Sequence, residues 1–156
     1  MMFFNLSSRI VMFSICTSLE YDLKKFIISG KCINFTQEMQ QKAKSRNKDL
    51  DFCRDYEILN ELDLGDYVQL IFRNPYDFNI NNDKAKLLFK YFEKIIPVRN
   101  RVMHTRPLLG GDFSTVYDFV QNLKFKLPID WKLTIETRDL IEKDSKVTQR
   151  HLSKEI

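Results

Sequence analysis

Residues 83–106 read DKAKLLFKYFEKIIPVRNRVMHTR. Leu87, Leu88, Tyr91, Phe92, Ile95 and Ile96 recur every three or four positions, the spacing that gathers side chains on one side of an α-helix. Asp83 suits the first turn, where a carboxylate meets the positive end of the helix dipole. Pro97 has no N–H and crowds the preceding turn, so it is expected to kink or restart the helix. The segment VRNRVMHTR then continues it, and Pro107 ends it.

The chain toward the N-terminus keeps the same character. Arg73–Asn82 (RNPYDFNINN) gathers Asn, Pro and Asp and reads as a loop. Asp66–Phe72 reads as a helix with Asp66 as its cap, and Asp55–Leu62 as another. Thr36 to about Asn47 is a polar helix, with Thr36 as N-cap and Met39 and Ala43 facing inward. A long amphipathic helix is expected from Leu6 to Ser29, with Gly30 as C-cap. Its apolar positions are Phe3, Leu6, Ile10 and Phe13, then Leu19, Leu23, Phe26 and Ile27.

In the other direction, LLGGD is a turn. Phe113–Phe125 forms a helix capped by Asp112 or Ser114, with Val116, Phe119, Val120 and Leu123 inward. After Leu127-Pro128 the chain becomes charged, with Trp131, Leu133, Ile135, Leu140 and Ile141 as its anchors. The expectation is an all-α bundle of four to five helices over residues 1–128. Residues 129–156 add a peripheral helix and a charged tail or linker.

Composition agrees with that reading. The 156 residues are 44% hydrophobic and 29% charged, and contain only four Gly and four Pro. That excludes a disordered chain and argues against a β-sandwich or barrel. Three cysteines (Cys16, Cys32, Cys53) without C-x-x-C spacing support neither a disulfide framework nor a structural zinc; buried, reduced thiols in a cytoplasmic protein are expected. No positive charge precedes the apolar N-terminal run and Arg9 interrupts it, so it does not read as a signal peptide, and Ile10–Cys16 is too short to span a bilayer.

Site motifs are mostly missing. Gly110-Gly111 is not a phosphate loop, and neither H-E-x-x-H nor G-x-S-x-G occurs. No metal and no cofactor is expected. Of two histidines, His151 lies in the tail, so acid–base chemistry near neutral pH falls to His104. On a helix, Asn100 and His104 are i, i+4 neighbours, whereas Arg99 points roughly 140° away from His104. Lys90, Lys94, Arg99, Arg101 and Arg106 face only Glu93 in this stretch. The modest net charge of +4 hides this local excess, which suits a phosphate backbone.

Arg99-Asn100-Arg101-Val102-Met103-His104 spells R-N-x-x-x-H. With its flanks, IIPVRNRVMHTRPL resembles the signature segment of HEPN-superfamily domains. These are all-α bundles of toxins, CRISPR-associated nucleases and antiviral systems, some of which precede nucleotide-binding modules. The resemblance implies a metal-independent endoribonuclease acting as a homodimer in defence or as a toxin, with two motifs facing across a cleft. His104 would act as general acid or base on the ribose 2′-OH and the leaving oxygen. Arg99 would hold the scissile phosphate, and Asn100 would orient the His or the phosphate. Lys90, Lys94, Arg101 and Arg106 would bind RNA. Implied partners are RNA, a second copy, and a nucleotide-binding domain, antitoxin or regulatory protein. The Tyr that a partner antitoxin modifies in one branch is replaced here by Arg106.

Lesser candidates have plainer readings. Tyr67, Tyr117 and Trp131 could stack bases but fit a core better; Tyr76, in the loop, is the aromatic to watch. Asp51, Asp55 and Glu57 read as an acidic helix start, and Lys42, Lys44, Arg46 and Lys48 as a solvated face. The alternatives to a nuclease are a catalytically silent dimerisation or sensor module and a plain helical adaptor. A two-fold cleft holding two His104 side chains favours the nuclease. An Arg99 buried in an intramolecular ion pair and facing no cavity favours the other two.

Overall fold

The computed structural model describes residues 6–30, 33–52, 54–123 and 128–143. They form α1 (Leu6–Ile28), α2 (Gln37–Arg46), α3 (Asp55–Asn60), α4 (Leu64–Arg73), a 3-10 turn (Pro75–Phe78), α5 (Asn82–Met103), α6 (Asp112–Gln121) and α7 (Lys132–Lys143), with no strand among the described residues. The all-α expectation holds. The helices exceed the four or five expected because α2 and α3 form a side annex. α1, α4, α5, α6 and α7 pack as the bundle, with α1 touching all four others.

The two longest helices organise the core. α1 buries Met12, Ile15, Cys16, Leu19, Leu23 and Ile27. Its N-terminal half is rotated from the expected face: Ile10 and Phe13 are 58% and 49% exposed. α5 buries Ala85, Leu88, Phe92, Ile95, Val98 and Val102, while Leu87 lies outside. Phe92 sits edge-on to Phe119 at 4.9 Å and 6.2 Å from Trp131, joining α5 to α6 and to the segment entering α7.

Several expected boundaries shift. Pro97 does not interrupt α5, which runs unbroken from Asn82 to Met103. Pro97 lies on the exposed face, where the carbonyl deprived of its donor can turn to water, and apolar burial on the opposite face holds both halves in line. The helix starts one residue before Asp83, with the Asn81 side chain accepting from Lys84 N. α4 is capped by Asp63 rather than Asp66; Asp66, at the third position, completes a reciprocal capping box. α6 is capped by Gly111, at φ 87°, which frees Asp112 for another task. Thr36 caps α2 through Met39 N, and Met39 and Ala43 are buried as expected. The Arg73–Asn82 loop carries the short 3-10 turn and buries Pro75, Phe78 and Ile80. Phe78 lies so close to Gly30 that a Cβ there would come within 2.6 Å of its ring.

α7 is held more firmly than a peripheral helix. Asp22 of α1 accepts from Leu133 N, Thr134 N and the Thr134 hydroxyl, capping α7 from another helix. Ile129, Trp131 and Thr134 are buried, and Leu140 is 68% exposed. The expected charged tail, with His151, lies outside the described residues, as do Phe3, Cys32 and Cys53.

Candidate functional site

The R-N-x-x-x-H segment forms the end of α5, with Arg99–Met103 as its last helical residues and His104 just past them. The helix stops at Met103, short of Pro107. His104 is the C-cap, Thr105 adopts φ 52°, and Arg106 N bonds back to Arg101 O at 3.0 Å. This is the wrap-around of a Schellman-type ending. A β-branched residue with positive φ is strained and must be held by its surroundings. Arg9 supplies the hold. Its guanidinium, buried to 7% exposure, donates to the carbonyls of Arg101 and Val102 at 2.9 Å and also to that of Arg106. A cation at a helix C-terminus satisfies orphaned carbonyls and offsets the dipole together.

Arg99 points away from His104, as its helical angle predicted, and that direction is the interior. Arg99 is 9% exposed, and its Nε donates to Glu20 of α1 at 2.5 Å. Its Nη1 reaches the other way, to Asn100 Oδ1 at 3.3 Å. Asn100 is half-buried, and its carbonyl accepts from His104 N at 3.1 Å. His104 is exposed. The three motif residues therefore form a strip that wraps from the interior to the surface. Arg99 and His104 sit at its opposite ends.

The remaining cations divide. Arg101 grips Asp112 through two bonds, Nε to Oδ2 at 2.9 Å and Nη2 to Oδ1 at 2.5 Å. Asp112 also accepts Leu109 N at 2.8 Å and so pins the turn after the motif. The carboxylate holds the Arg101 guanidinium in its charged form, its pKa raised by that hydrogen bond. Arg101 is thus committed to the fold. Lys90, Lys94 and Arg106 are exposed and take part in no ion pair among the described residues.

Around Glu20 and Arg99 the interior is unusually polar. Burial pushes the Cys16 thiol up to about 12, helped by the Glu20 charge and opposed by Arg99, so Cys16 stays protonated and unreactive. Tyr67 donates to Leu59 O at 2.7 Å, and burial followed by the Glu20, Asp63 and Asp66 carboxylates raises its pKa. Burial disfavours the charged form of Asp63. The hydrogen bond and charge of Lys42, with help from Arg99 and Asp66, outweigh that and hold its carboxyl below the usual range. Lys42 bridges Asp63 at 2.7 Å and Asp66 at 2.6 Å, and Arg46 Nη1 donates to Glu61 O. The basic stretch of α2 is therefore half spent on α4 and its approach. Tyr117 donates to Glu142 and Trp131 is buried, which leaves Tyr76, 72% exposed, as the aromatic of that set open to a ligand. Among the described residues no three His, Cys, Asp or Glu side chains converge to hold a metal ion, and no helix is long and apolar enough to cross a membrane.

Arg9, Glu20 and Asp112 were missed as parts of this site. Arg9 and Glu20 are eleven residues apart, three turns on one side of α1, so their shared face was readable. That this face meets the end of α5 was not. Comparison with protein-family models, curated proteins and solved structures yields no match for this chain.

Proposed function

We propose that the chain is a metal-independent endoribonuclease of the HEPN type, working as a homodimer and resting, as a single chain, with Arg99 withheld by Glu20. One observation supports it above the others. Arg101 spends Nε and Nη2 together on one carboxylate in a two-bond grip, as a structural arginine does. Arg99 gives Glu20 only its Nε and turns Nη1 toward Asn100, along the strip that ends at the exposed His104. A scissile phosphate entering there would compete with Glu20 for Arg99, and His104 from either copy would move the proton of the 2′-OH. The products would be a cyclic phosphate and a free 5′-hydroxyl, and DNA would survive.

The burial of Arg99 in its ion pair with Glu20 favours the plain helical adaptor and, more fully, a second reading. In it the same module is silent toward RNA and serves a partner by dimerising or sensing, and the Arg99–Glu20 pair is simply structural. The pocket between α5 and α6 is not lined by Arg99. Defence and toxin roles belong to the first reading.

Total RNA incubated in EDTA with wild type, His104→Ala, Arg99→Ala and Glu20→Gln separates them. The nuclease reading expects cleavage by wild type, its loss by at least about a hundredfold in His104→Ala, loss in Arg99→Ala, and faster cutting by Glu20→Gln. Intact RNA with both wild type and Glu20→Gln, with all four proteins folded, establishes the silent module instead.

A further inference from the structure

The pocket between α5 and α6 lies on the flank of the exposed lysine ridge. Its volume is about 290 Å³, at the lower edge of small-molecule sites (roughly 300–1,000 Å³), so it suits one flat ring system rather than a large ligand. Tyr91 and Phe119 supply aromatic walls, and Lys94, Thr115, Asp118 and Asn122 the polar rim. Phe119 is fixed edge-on by Phe92, so this wall is rigid. The rim chemistry is uncommitted. Lys94 and Asp118 make no ion pair among the described residues, and the Asn122 amide nitrogen donates to the Asp118 main-chain carbonyl.

We propose that this pocket binds a guanine base. A pocket lined by both a carboxylate, Asp118, and an ammonium, Lys94, offers an acceptor and a donor to guanine's pairing edge, where two adjacent N–H donors stand next to a carbonyl acceptor. Adenine presents a lone amino group beside a bare ring nitrogen and would leave the Asp118 carboxylate half satisfied. Aromatic walls hold a base by stacking. Lys90 and Lys86, about one and two turns before Lys94 on the same exposed face of α5, continue the positive ridge that a phosphate backbone would follow. The base can come from a free guanine nucleotide or from single-stranded RNA. The second source rests on the RNA reading above; the first does not.

Titration of the isotopically labelled chain with GMP, followed by NMR, tests the pocket without using cleavage. GMP should shift the amides of Tyr91, Thr115, Asp118, Phe119 and Asn122, with AMP at least about tenfold weaker. Asp118→Asn, an exposed substitution, should shrink that preference to less than about threefold. A short guanine-containing RNA with 2′-O-methyl riboses gives the second arm. Binding about tenfold tighter than GMP identifies RNA as the source, and equal binding identifies the free nucleotide. Absence of shifts in this groove at about 10 mM GMP, or equal response to AMP, overturns the proposal. A chain that cuts RNA yet ignores GMP defeats the pocket alone; one that binds GMP yet cuts nothing defeats the nuclease alone.

Discussion

The two sides of α5 handle positive charge in opposite ways. Toward the interior the arginines are matched: Arg99 with Glu20, Arg101 with Asp112, and Arg9, arriving from α1, with three main-chain carbonyls. Along the outer ridge and in the following turn, Lys90, Lys94 and Arg106 are exposed and form no ion pair among the described residues. Cations that look alike in the sequence therefore do two jobs. The matched set shapes the end of the helix, and the unmatched set is available to a partner. Counting charges along a helix measures the sum of the two and not the share a ligand can use.

Mutations on the two sides should separate just as cleanly. The largest effect is expected at Arg9→Ala, which removes a donor from Arg101 O, still bonded by Arg106 N, and leaves the carbonyls of Val102 and Arg106 without the guanidinium. Urea unfolding should show a loss of roughly 3 kcal/mol, and the amides after Arg101 should lose hydrogen-exchange protection first. Retained protection there would mean the turn holds itself. Asp112→Ala comes next, at roughly 2 kcal/mol, because it frees Arg101 and the Leu109 N–H together. The smallest effect on stability belongs to the ridge. The Lys90→Ala, Lys94→Ala double variant should unfold within about 0.5 kcal/mol of wild type. Its RNA binding should weaken, with the salt dependence shallower by about 1.4 in log–log slope, at roughly 0.7 per phosphate contact on single strands. If the double variant loses stability like Asp112→Ala, the contrast between the two sides fails.

What the sequence disclosed follows this division as well. Local rules were readable: Thr36 as a cap, Met39 and Ala43 as an inner face, and Arg99 and His104 on diverging sides of one helix. Choices between local rules were less so. Asp63 and Asp66 both suit an N-cap, and only the fold shows that they share the task. Pro97 obeys its local rule in losing a hydrogen bond, yet tertiary packing carries the helix past it. Least readable were the partners of Arg101 and Arg99. Asp112 is eleven residues away across a turn, and Glu20 is seventy-nine away. No periodicity within one helix can name a partner on another. The ends of the motif strip could thus be placed in angle, but not in burial.

Arg9 also carries a consequence for how the molecule assembles. Its bonds join positions 92 to 97 residues apart, so they close nearly two thirds of the chain into a loop. Such a contact forms late, after most of the entropy of closure has been spent. During synthesis, the His104 end of α5 cannot take its final shape when it first emerges. It must wait for α1, made earlier, to fold back over it. A peptide cut to α5 alone should fray beyond Arg101, and a separately added α1 peptide should restore order there.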